Sequence, residues 1–123
     1  MDLILECINN PEIVLVGNDI LILEMKKYRE KFKSLTASMI YSLIIRKTMV
    51  IIPSEENVEK CKNYFPPEKI KDVLHAATAL ESKSVVITND KHFNTIRDEK
   101  LIEVWSISEA ITNLLPSTNI EPS

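Results

Sequence analysis

The sequence predicts a three-layer α/β fold: a parallel sheet of about four strands, covered by helices on both faces. Two observations predict it. Short β-rich runs alternate with longer segments of helical periodicity, and three of the runs stop at a breaker or a polar cap, Gly17, Pro53 and Asn89-Asp90. A third observation sets the scale, since 123 residues make one domain long enough to bury a core without metal or disulfide support.

Asp2 to Asn9 reads as a helix ended by Asn9-Asn10-Pro11. A strand over Asp2 to Glu6 would leave only about five residues before Ile13, enough for a hairpin and too few for a parallel crossover. Glu12-Ile-Val-Leu-Val16 is the first strand, closed by Gly17, and Asn18 or Asp19 offers the N-cap of a helix running to Lys33. A second helical pattern covers Thr36 to Arg46, and Met49 to Ile52 is a strand stopped by Pro53. Ser54-Glu-Glu-Asn57 starts a short helix that reaches Tyr64, before Pro66-Pro67 breaks the chain. A helix then spans Glu68 to Ser82, a strand Ser84 to Thr88, a short helix follows Asp90, a strand covers Ile102 to Trp105, and a last helix Ser106 to Leu115. The domain is 1–115, and 116–123 read as a disordered tail.

Composition excludes several classes. A single glycine argues against a Gly-rich phosphate loop, which needs backbone positions that only glycine occupies easily. Cys7 and Cys61 have neither CxxC nor Cys/His spacing, so structural zinc and a disulfide framework are not expected. The net charge of −3 predicts no general attraction to nucleic acid, although a local basic patch can still act. No apolar run is long enough to span a membrane, and Met1-Asp2 lacks the basic start of a signal peptide, so a cytoplasmic protein is expected.

Three acids occupy unusual settings. Asp90 follows Val85-Val-Ile-Thr-Asn89, at the C-terminal end of a strand, where open parallel sheets bind their ligands; it equally reads as the cap of the next helix. Glu24 lies on the apolar arc of its helix, between Ile20 and Tyr28 and beside Leu21, Met25 and Phe32. A carboxylate carried toward a core requires a proton, a cation or a partner, while one at the arc's edge reaches water, Lys27 or Tyr28. Asp72 shares a face with Ala76 and Ala79, whose small side chains permit close approach to a sheet. Near a helix start it also matches the macrodipole.

Taken together, Asp72-Val-Leu-His-Ala-Ala-Thr-Ala-Leu80 followed by Val86-Ile-Thr-Asn-Asp-Lys-His-Phe93 resembles the C-terminal signature of PIN domains, the family that includes the VapC toxins. Upstream, Glu12 to Val16 leading to Glu24 is similar to that family's second strand and the acid that follows it. The resemblance covers most of residues 3 to 106 and is strong over 72 to 93. It implies an α/β/α nuclease in which about four acids gather at the C-terminal end of a parallel sheet, hold Mg2+ or Mn2+ and cut RNA. Carried over by position, Glu24, Asp72 and Asp90 match three of those acids, with Asp72 and Asp90 as metal ligands, Glu24 holding a metal-bound water or a second metal, and Thr88 and Asn89 in the polar loop beside the last.

The fourth acid ends the family's first strand, and nothing before Ile13 has that form; Glu6 is the nearest carboxylate. The chain therefore resembles a PIN domain without its first, central strand, whose neighbours are expected to show unpaired edges. A start codon placed downstream of that strand would account for the difference.

The expected function is metal-dependent RNA hydrolysis of the toxin–antitoxin kind, weakened by the missing carboxylate. The alternative is a non-catalytic module that binds an antitoxin or a sister subunit, with homodimerisation through the apolar Met39 to Ile45 helix. Lys26, Lys27, Arg29, Lys31 and Lys33 form a basic cluster; Lys27 and Lys31 would contact RNA, unless the cluster is simply a solvated face. His75 reads as structural, His92 as surface, and Phe93 and Trp105 as core.

Overall fold

The structure is a computed structural model in which residues 2–115 are described. The tail expected over 116–123 lies outside them. The chain is mixed α/β and mostly helical, with short parallel strands. In order, it comprises α1 (Asp2–Asn9), β1 (Val16–Gly17), α2 (Asp19–Lys31), α3 (Leu35–Lys47), β2 (Met49–Val50), α4 (Glu55–Lys62), α5 (Ile70–Ser82), β3 (Val85–Ile87), a 3-10 turn (Lys91–Phe93), α6 (Asn94–Asp98), β4 (Glu103–Trp105) and α7 (Ile107–Leu114).

Local chemistry places the helix ends. The side chains of Asn18, Ser34 and Ser54 accept the backbone N–H of Leu21, Ala37 and Asn57, satisfying donors that the first turn leaves free. Lys47 at the end of α3 donates to the carbonyls of Cys7 and Asn10, 3.0 Å from the latter, and so caps α1 with a cation. Gly17 answers to packing: a Cβ there would lie 2.9 Å from Leu21 Cδ2 and 3.1 Å from Thr48 Cγ2. The only glycine stands where β1 passes closest to α2 and the end of α3.

Ser106 and Glu109 form a capping box on α7. The Ser106 backbone N–H donated to Glu109 holds that carboxyl below its ordinary value of 4.5. A depressed folded-state value stabilises above 4.5 and loses that stabilisation as pH falls through the lower value. Glu109→Gln is therefore expected to lower stability at pH 7, with the difference from wild type fading in acid denaturation scans below that range.

The four strands do not form one ladder. β1 pairs with β2 in parallel, Val16 opposite Met49, and β3 pairs with β4 in parallel, Val85 opposite Glu103. Among the described residues no segment joins the two couples. Each strand has one partner; β2, β3 and β4 lie inside the β-rich runs expected for them, whereas β1 keeps only Val16 of the run Glu12 to Val16 and adds Gly17, expected to close it. Helix α5 packs against both β1 and β3 and so holds the couples together.

Packing is uneven along the chain. One buried cluster contains Cys61 and Phe65 near α4, Val73, Ala76, Ala77 and Ala79 of α5, Phe93, Ile96, Ile102 and Val104. Alanines on α5 let it approach its neighbours closely, as helix and sheet backbones do where side chains are small. Burial pushes the Cys61 thiol up to about 11, so it behaves as a small apolar core residue. Between α1 and β2 only Gly17, Asn18 and Met25 are buried, while Val14, Leu35 and, just past β2, Ile52 are strongly exposed. Trp105, expected in the core, is only half-buried, because its indole N–H turns outward to Glu103 Oε2 at 3.0 Å.

Candidate metal centre at the end of β3

β3 ends at Ile87, and the next residues make a polar turn. Thr88 donates its N–H to the Trp105 carbonyl, keeping the β3–β4 ladder going, while its hydroxyl accepts the Asp90 N–H at 3.0 Å. Asp90 then caps the 3-10 turn: Oδ1 accepts the His92 backbone N–H at 2.9 Å and lies 2.8 Å from His92 Nδ1. The capping role read from sequence is thus realised, and it orients the carboxylate rather than consuming it. Both contacts converge on Oδ1.

Asp90 is joined by Asp72 from the first turn of α5. Ligand atoms of Asp72, Asp90 and His92 lie within 4.8 Å of one another, a spacing that suits shared coordination of one cation. The His92 backbone N–H, the His92 imidazole hydrogen bond and the charges of His92 and Lys69 hold the Asp90 carboxyl below its ordinary range against a small burial effect. Asp90 is accordingly ionised through the neutral range. An ionised carboxylate only accepts, so Nδ1 of His92 is the donor in this contact.

The place of His92 in this cluster was not legible in the sequence. Read as surface, it is half-buried and sits against Asp90; the available signal was the Asp90-Lys-His92 spacing at a strand end. Its presence corrects the expectation of a purely carboxylate cluster, because imidazole widens the set of suitable ions from Mg2+ toward Mn2+ and later transition metals.

Glu24 stands apart from this group. It projects from α2 to α5, with Oε2 3.4 Å from Lys71 Nζ and Oε1 3.5 Å from His75 Nε2. Its partners are therefore on another helix, and neither Lys27 nor Tyr28 takes that place. His75 in turn reaches Asn18, whose Nδ2 lies 3.3 Å from His75 Nδ1, 2.9 Å from Thr78 Oγ1 and 3.4 Å from the Leu74 carbonyl. Asn18, Thr78, His75 and Glu24 form one chain of polar contacts from β1 to α5 to α2. Only the capping half of Asn18's role was legible.

The remaining residues are placed as follows. Asn89 Oδ1 accepts the Ile107 N–H at 2.9 Å, tying the polar turn to the start of α7. Lys27 and Lys31 are exposed, one turn apart on the outer side of α2. Glu6 accepts a hydrogen bond from Asn10 at the end of α1 and does not join the acids. No helix among the described residues is long and apolar enough to cross a membrane. No family model, curated protein or solved structure matches this chain.

Proposed function

We propose that this chain is a PIN-like, metal-dependent endoribonuclease of the toxin–antitoxin type, with activity weakened by an incomplete acid set. The observation that supports it is the convergence of Asp72 and Asp90, from separate elements, within 4.8 Å at the C-terminal end of a parallel strand. Two carboxylates and one imidazole fit Mn2+ or Mg2+, the imidazole favouring Mn2+.

Asp72 and Asp90 would hold the ion, with the His92 imidazole as the third group of the set. When bound, the ion supplies an activated water and charge stabilisation at the phosphate. Glu24, fixed by Lys71 and His75 near the same end of α5, would orient water. Lys27 and Lys31 would attract the RNA backbone. A continuous PIN-like sheet that includes the chain's own four strands belongs to the same proposal.

The test is Mn2+ binding and Mn2+-dependent cleavage of single-stranded RNA by wild type, Asp72→Asn and Asp90→Asn. Each substitution is expected to weaken Mn2+ binding by more than about tenfold, since groups that merely support a ligand already cost that much. Cleavage is expected to fall about a hundredfold or more, the size of effect that misplacing a reacting group produces. Cleavage that survives both substitutions overturns the site.

A second reading, a non-catalytic module binding an antitoxin or a sister subunit, is favoured by α3. Leu35, Met39 and Leu43 form a stripe on it and are 77%, 57% and 39% exposed. No Mn2+ binding at millimolar concentration, together with a stable dimer in solution, would support this reading over the nuclease.

A further inference from the structure

The gap between the two strand couples has the chemistry of a strand-binding slot. Leu15 and Gly17 direct their carbonyls to β2, accepting the N–H of Met49 and Ile51. In a parallel ladder alternate residues point to opposite sides, so the N–H and C=O of Val16 face away from β2. On β3, Thr88 donates to Trp105 on β4, and by the same alternation the backbone groups of Val85 and Ile87 face away from β4.

Both sets face one cavity of about 340 Å³, lined by Val16 on one side and Val85 and Ile87 on the other. α5 lies along it and contributes Thr78 and Ala79, with Leu21 and Phe93 adding apolar surface. We propose that this slot takes one extended segment of a partner polypeptide, hydrogen-bonded to β1 on one side and to β3 on the other, so that the two couples become a continuous sheet.

Charge matching defines the segment. The slot is lined by apolar side chains, hydroxyls, the Asn18 amide and the His75 imidazole, and its carboxylates, Asp72 and Asp90, sit together beyond the end of β3. A charged residue inside would find no opposite charge and would lose hydration. The occupant is therefore an uncharged, β-branched stretch with polar residues only at its ends. An unpaired N–H or C=O removed from water is costly, which selects a main chain in extended form over a loose apolar side chain. The slot exists without a metal and does not depend on the nuclease reading.

The experiment uses the full chain in EDTA, with residue-resolved hydrogen exchange and the end-capped hexapeptide Ser-Val-Ile-Val-Thr-Ser as probe. Exchange at the amides of Val16, Val85 and Ile87 is expected to slow about elevenfold at a free peptide concentration ten times Kd. The same peptide N-methylated at every residue, which blocks both edges, is expected to give no protection. Equal protection by the methylated peptide would show side-chain capture without strand pairing, and no protection by either would show that the slot takes no strand; both overturn the proposal. Protection of these amides without peptide that fades on dilution would assign the slot to a second copy of this chain, and protection independent of dilution to the chain itself; both also overturn it.

Discussion

Phe93→Ala is expected to cost about 3–5 kcal/mol of stability, the range for deleting a buried aromatic ring. Phe93 is 5% exposed and meets Phe65 edge-on, with ring centroids 5.0 Å apart and planes at 73°. Such a pair adds about 0.5–1.5 kcal/mol beyond the area it buries. The ring also plugs the space between α4 and the polar turn after β3, so its removal leaves a cavity that rigid neighbours cannot close. Small domains are stable by only about 5–15 kcal/mol in total. Urea denaturation should show a large fall in midpoint with little change in slope, and a loss below about 1 kcal/mol would mean that the two rings are not the centre of the core.

The same substitution separates fold from site. Phe93 closes the 3-10 turn that Asp90 caps, so Asp90 and His92 owe their placement to the ring beneath them. Phe93→Leu retains most of the apolar volume and should retain Mn2+ binding, whereas Phe93→Ala should weaken both stability and binding. Sequence alone marked Phe93 as core. It could not show that Phe65, in the turn after α4, is the partner.

What was legible followed from local chemistry. Caps, breakers and periodicity located seven helices and four strands to within a few residues, because each signal is contained within a turn or two. The pairing of strands was not legible, since register depends on groups far apart in sequence, and two couples appear where alternation suggested one sheet. Asp72 and Asp90 were legible through the pattern around each. Glu24's partners were not: helical periodicity turned it toward the core side, but Lys71 and His75 come from a helix whose orientation only the fold supplies. His92 was missed for the opposite reason, because an exposed-looking histidine two residues from an acid carries little information until the turn brings both toward Asp72.

Asn18 is expected to be the most costly polar substitution in the chain, at about 1–3.5 kcal/mol for Asn18→Ala. The side chain is 4% exposed and works at both ends. Oδ1 accepts the Leu21 N–H, a cap whose removal costs about 0.5–2 kcal/mol. Nδ2 reaches Thr78, Leu74 and His75 on α5, and losing that link leaves a buried hydroxyl short of a donor, about 0.5–1.5 kcal/mol more. Asn18→Ser should restore the cap alone, so the difference between Ser and Asn isolates the link to α5. A double-mutant cycle with Thr78→Val should give a coupling of about 0.5 kcal/mol or more, as for residues in direct contact. The same link reaches the site: when Nδ1 of His75 accepts from Asn18, the ring proton sits on Nε2, facing Glu24. Asn18→Ser should therefore shift the His75 imidazole 15N resonances while leaving α2 intact. Unchanged resonances with the full stability loss would mean that Asn18 holds the helices together but does not position Glu24.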